Sequence, residues 1–205
     1  EKLLAAALQL ADDDSSVVRL QLALSLGESS DPRALTALAR LARRHGGDEW
    51  LGDAILTSLA GRASDMLAAL IDKPAEAHGA RGLIARLCGS IATRRNTAEL
   101  SAAIVHVAGL TDYGLQLACL AGLREPFKSA TTVALSGAAR AALGQLTTAS
   151  DGEVRIAAVG LTQILKLESP ADRAARLAKA RHGCHALNSG RRRTLVKRGS
   201  FATRL

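Results

Sequence analysis

The segment Asp14-Ser15-Ser16-Val17-Val18-Arg19-Leu20-Gln21-Leu22-Ala23-Leu24-Ser25-Leu26-Gly27 constrains this chain more than any other, because weaker copies of it recur. It reads as an acidic turn, a β-branched residue, an arginine, and an Ala/Leu helix closed by glycine. Copies open at Asp48, Asp112 and Asp151, and a fainter one runs from Gly82 to Gly89. Anchoring the copies on Val18, Leu51, Leu83, Leu115 and Val154 gives steps of 33, 32, 32 and 39 residues. A period of this size marks a chain built from stacked supersecondary units, none of which can bury its apolar face alone.

Composition decides which unit. Hydrophobic residues make up 48% of the chain but aromatics only 2%, so Ala and Leu must fill the core. Both are strong helix formers, and small side chains let neighbouring helix axes approach. No alternating run of Val, Ile, Tyr and Phe marks a strand. The expected fold is all-α, a right-handed α-α solenoid of about five helical pairs over 1–170. Asp31-Pro32 opens a first helix of a pair, with Asp as cap and Pro at the first helical position, and Gly27 is expected to end the helix before it. The extra residues of the longest step, Arg124-Glu125-Pro126-Phe127-Lys128, are expected to loop out or to lengthen a helix over 130–148.

The formal charge of +8 is unevenly spread. Residues 171–205 hold ten Lys/Arg against one acid, a balance of +9, which leaves 17 basic and 18 acidic residues in 1–170. A phosphate-gripping groove would need its cations along the helices. Nucleic acid is therefore expected to bind only through the tail, where Arg191-Arg192-Arg193-Thr194-Leu195-Val196-Lys197-Arg198 has few aromatics to stack on bases. The tail is set apart as a basic, poorly structured end. A nucleic-acid-binding body stays open as an alternative if Arg40, Arg43, Arg44, Arg94 and Arg95 share one face.

Other chemistry is thinly represented. Cys88, Cys119 and Cys184 are too few and scattered for a disulfide framework or a structural zinc site. Cys88 and Cys119 are expected to pack as small apolar groups between successive units. His45, Asp48 and Asp53 are near in sequence, but a loop and two helix faces separate them, which favours a solvated cap over a metal site. The sequence has no nucleophile elbow, H-E-x-x-H, P-loop or dinucleotide fingerprint. No enzyme, cofactor or metal is expected. No apolar stretch is long enough for a transmembrane segment. Opening on Glu1 in mid-helix, the chain reads as a piece of a longer protein, and its compartment stays unknown.

Asp14-x-x-x-Val18-Arg19 and Asp151-x-x-Val154-Arg155, each leading into an Ala/Leu helix, together with Pro32, resemble the HEAT-repeat family over about 1–170. A narrower likeness is to the HEAT-like region of large multidomain proteins of planctomycete-type bacteria. It rests on Val18 to Glu28 and on Asp48-x-Trp50-Leu51-x-x-Ala54-Ile55-Leu56-Thr57-Ser58-Leu59. There the repeats sit between a sugar-dehydrogenase-type propeller and a c-type cytochrome domain. That likeness implies an exported parent and a spacer role. Haem attachment needs C-x-x-C-H, whereas Arg181-His182-Gly183-Cys184-His185 has Arg181 in place of the first thiol.

The HEAT resemblance implies a non-catalytic protein-protein interaction or scaffold module, with an unidentified protein partner bound on the concave face of second helices. The positions expected to face that partner are Gln21, Asp53, Arg86 and Gln116. Trp50, the sole Trp, is expected to wedge between adjacent helices, with an exposed interface anchor as the alternative. Asp14, Arg19, Asp48, Asp151 and Arg155 are assigned structural roles, each acid capping its own helix and meeting an Arg of a neighbouring repeat.

Overall fold

Helices in this chain begin where a short polar side chain can take up free amides. The computed structural model describes residues 2–59, 61–127 and 133–166. Among them it holds ten α-helices and no strand: α1 Lys2–Gln9, α2 Ser16–Gly27, α3 Pro32–His45, α4 Glu49–Thr57, α5 Ala63–Ile71, α6 Arg81–Arg94, α7 Thr97–Ala108, α8 Tyr113–Arg124, α9 Gly137–Leu146 and α10 Gly152–Leu165. No described helix is long and apolar enough to cross a membrane. The basic segment 171–205, with Cys184-His185 and the arginine run, lies outside the described residues.

Six helices have a side-chain N-cap, each satisfying amides that would otherwise lack partners. Asp48 accepts from the Leu51 amide at 3.2 Å, Asp112 from Leu115 at 2.9 Å, and Asp151 from Glu153 and Val154 at 3.0 and 2.9 Å. Asp31, Asn96 and Ser136 do the same for α3, α7 and α9. The first copy departs from this rule. Its N-cap is Ser15, which makes no side-chain cap bond, and Asp13 rather than Asp14 turns its carboxylate onto the Ser15 amide at 2.8 Å.

Alternate helices stack. Among odd-numbered helices α3 meets α5, α5 meets α7 and α7 meets α9; among even-numbered ones α2 meets α4, α6 meets α8 and α8 meets α10. Contacts between consecutive helices, such as α2 with α3 and α6 with α7, join the two sets. The repeat anchors explain the register: Leu51, Leu83, Leu115 and Val154 are all buried, and only Val18, in the first copy, is partly exposed. Cys88 and Cys119 are free and fully buried in the α6–α8 contact. Hydrogen bonding to the Cys119 thiol, and then burial, pushes the Cys88 thiol well above the usual cysteine range.

Two glycines hold helices close. A Cβ on Gly27 would lie 2.6 Å from the Ser58 Cβ, where Ser58 Oγ crosses from α4 to donate to the Ala23 carbonyl at 2.9 Å. Gly27 therefore belongs to the α2–α4 contact. α2 ends at Gly27 as expected, but without a left-handed residue: Gly27 does not have a positive φ, and Glu28 after it is right-handed helical. A Cβ on Gly122 would lie 1.9 Å from the Ala85 carbonyl oxygen, and α6–α8 is the most extensive helix contact among the described residues.

The insertion does not lengthen α9, and the residues described on either side of 128–132 pack against the body. Phe127, Val133 and Leu135 are buried, the Val133 amide donates to the Leu165 carbonyl at 3.3 Å, and α9 waits for its cap at Ser136. Burying three apolar residues outweighs extending α9 backward past that cap.

Candidate functional site

The repeated arginines turn inward to backbone. Arg19 Nη1 donates to the Asp13 and Asp14 carbonyls at 2.8 and 2.9 Å. Arg155 Nη1 donates to the Ala149 and Ser150 carbonyls at 2.8 and 3.1 Å. In both copies the targets stand six and five residues back, so the motif arginine ties its helix to the loop before it. The expected partner, an acid of a neighbouring repeat, is corrected for both arginines: each guanidinium is taken by two carbonyls of the loop before its own helix. Across repeats the cap Asp112 meets Arg81 at 4.0 Å, and Asp53 of α4 and Arg86 of α6 form an ion pair. They stand 33 residues apart, one repeat step.

Gln116, expected to face solvent, is buried at 4% exposure. Its amide nitrogen donates to the Val107 and Leu110 carbonyls at 3.3 and 2.7 Å, so it satisfies the end of α7. Trp50 is 78% exposed in the first turn of α4, so it is no wedge; the buried side chains in this part of the helix are Leu51 and Ala54. Gln21 is exposed on α2, one turn after Val17 and one before Leu24. Those three share a face of the helix.

A wider pattern emerges from exposure. Of the eight exposed large apolar side chains among the described residues, six lie on even-numbered helices: Val17 and Leu24 on α2, Trp50 on α4, Tyr113 on α8, Ile156 and Val159 on α10. Two openings lie among the same helices. The first, of about 470 Å³, is rimmed by Asp48, Glu49, Asp53 and Arg86 over a glycine floor that includes Gly52 and Gly82. The second, of about 530 Å³, is an apolar trough across α4, α6 and α8, with Leu56, Ala85, Gly89 and Ala121 as walls and Arg86 and Glu125 at its rim. Arg86 belongs to both. Sequence reading found Asp53 and Arg86 but not Glu49, Glu125 or the trough. The signal for the trough was a second one-repeat spacing, Gly89 to Gly122, also 33 residues.

The arginines that would mark a nucleic-acid face do not gather. Arg40, Arg43 and Arg44 line a recess of about 480 Å³ with Lys73 and Glu76, but Arg40 and Arg44 pair with Asp12 and Arg43 with Glu76. Arg94 sits at the far end of α6, 3.8 Å from Glu99. Gly46, just past α3, abuts Ala80, just before α6. The 14 residues of α6 therefore carry Arg94 about 20 Å from that junction, at about 1.5 Å per residue. Among the described residues no group of three or more His, Cys, Asp and Glu side chains is placed to hold a metal ion. His45, expected on a loop, is the last residue of α3, with its pKa lowered by burial and then by the charges of Arg19 and Arg44.

Compared with protein-family models, curated proteins and solved structures, the chain finds no match.

Proposed function

We propose that this chain is a HEAT-like α-solenoid acting as a non-catalytic protein-docking module, with the partner held on its even-numbered helices. The resemblance is supported by the like geometry of Arg19 and Arg155 and by the stacking of alternate helices. The observation that carries the functional reading is the concentration of exposed large apolar side chains on one set of helices. Isolated exposed apolar residues need no explanation, but a patch of them with an aromatic anchor is how partner surfaces are built. In a stack of repeats such a face is continuous from unit to unit.

A displayed library of random peptides, selected on the wild-type protein, tests the reading. Selected binders should lose affinity on W50S and I156S, and keep it on V105S, which removes an exposed apolar side chain from α7. Binders indifferent to the first two variants, or no binders at all, would overturn it.

One observation favours a second reading, binding of phosphate backbones: the recess with Arg40, Arg43, Arg44 and Lys73 carries four cations. Its neutralisation by Asp12 and Glu76 weakens that case. DNA binding that falls steeply with salt and is abolished by R40A/R44A would establish it.

A further inference from the structure

The docking surface has a charge pattern as well as an apolar one, and the pattern selects a partner. Four carboxylates (Asp48, Glu49, Asp53 and Glu125) and a single guanidinium, Arg86, rim the two openings. Arg86 is already held by Asp53, and neither Glu49 nor Glu125 enters an ion pair among the described residues. Cations near by lie elsewhere: Arg81 against His78 and Asp112, Arg94 beside Glu99, and Arg124 with its guanidinium near Gly160 of α10. The trough between these acids has apolar walls of Ala, Gly and Leu, shallow because α6 and α8 approach so closely at Gly122. Its mouth therefore attracts positive charge while its floor accepts only an apolar side chain.

Resting on the docking reading above, we propose that the even-numbered face binds a peptide segment in which one apolar residue sits between basic ones. The apolar side chain enters the trough beside Gly89 and Ala121, one cation meets Glu125 at the rim, and another meets Glu49 in the first opening. Spacing follows from α6, which lines both openings from Gly82 to Gly89. Seven residues of helix span about 10 Å, which an extended peptide covers in about three residues. The expected pattern is a Lys or Arg, two intervening residues, an apolar residue, and a second Lys or Arg directly after it.

The test uses the full chain and three ten-residue fluorescent peptides built on serine: Lys-x-x-Leu-Lys, the same with Leu replaced by Ser, and Glu-x-x-Leu-Glu. Fluorescence anisotropy should show the first binding at least tenfold tighter than either control. Ala121→Leu, which fills the trough from an exposed position, and Glu125→Lys, which reverses the rim charge, should each weaken it at least fivefold, with circular dichroism unchanged. Equal binding of the Glu peptide, or a Lys peptide indifferent to both variants, would overturn the proposal. Library binders that depend on Trp50 and Ile156 but lack this pattern would overturn it while leaving the docking reading in place. The absence of any such binder would remove both.

Discussion

Gly122→Ala places the heaviest demand on the described packing. The new Cβ would lie 1.9 Å from the Ala85 carbonyl oxygen, 2.7 Å from the Ala85 carbonyl carbon and 2.9 Å from the Cys88 Cβ. An ordinary carbon–oxygen contact needs about 3.3 Å, so α6 and α8 must separate by on the order of 1.4 Å. The obstacle is backbone, which cannot rotate out of the way as a side-chain tip would. Overpacking of this kind costs about 3 kcal/mol at the upper end of its usual span. Alanine's better helix propensity offsets about 1 kcal/mol of that, leaving a net loss of about 2 kcal/mol. For a chain of this length the melting temperature should fall by roughly 4–8 °C. The control is Gly144→Ala in α9, where a Cβ meets nothing within 4 Å; there propensity acts alone and should raise the melting temperature by about 2–4 °C. Thermal unfolding followed by circular dichroism at the helix band reads both. A Gly122→Ala protein as stable as the wild type, or as stable as Gly144→Ala, would refute the close approach of α6 and α8.

Three further outcomes follow from named contacts. Gln116→Met removes the donor to the Leu110 carbonyl, while the Val107 carbonyl keeps the Leu110 amide, and should cost about 1–3 kcal/mol in urea unfolding, the desolvation penalty of a buried acceptor left unpaired. Arg155→Met severs the helix from its loop and should cost only about 0.5–1.5 kcal/mol, because the site is exposed; an equal loss for Arg19→Met would show that the two copies share one role. Stability should also fall with pH in two steps, since both groups have folded-state pKa values below their unfolded ones, and such groups stabilise the fold only above their unfolded values. Half-buried His45 favours its neutral form, because desolvation and then the charges of Arg19 and Arg44 lower its pKa, so its contribution is lost as pH falls below about 6.5. Asp31 is held down to about 2, first by the Arg33 guanidinium and then by the Arg33 amide, so its contribution disappears between about pH 4 and that value. Melting temperatures across pH 2–8 for the wild type, His45→Gln and Asp31→Asn separate the steps; an upper shoulder that survives His45→Gln would contradict the first assignment.

What the sequence made legible was local. Asp48, Asp112 and Asp151 announce helix starts because a cap acts within three residues of itself, and the anchors Leu51, Leu83, Leu115 and Val154 announce burial through their spacing. The partners of Arg19 and Arg155 were not legible, since a loop carbonyl is present at every residue and only three-dimensional geometry selects two of them. Gln116 misled for a related reason. Its position on an outer face said nothing of the Leu110 carbonyl just past α7, which takes its amide at 2.7 Å and draws it inward. Asp53 and Arg86 were singled out separately, and their 33-residue spacing, the repeat step itself, was the clue that they pair. The apolar trough escaped notice because alanine and glycine carry no chemical signature; they become a surface feature only when two helices bring Ala85, Gly89, Ala121 and Gly122 together.

Mapping a selected peptide onto the protein tests the central claim most directly. Backbone amide shifts of the isotope-labelled full chain, recorded by NMR as the tightest library binder is titrated, report where it sits. The account predicts that the largest changes fall on α4, α6 and α8, at Trp50, Asp53, Arg86, Gly89 and Ala121, with α3, α5 and α7 little affected. Changes concentrated on those odd-numbered helices, or at the Arg40–Arg44 recess, would contradict it.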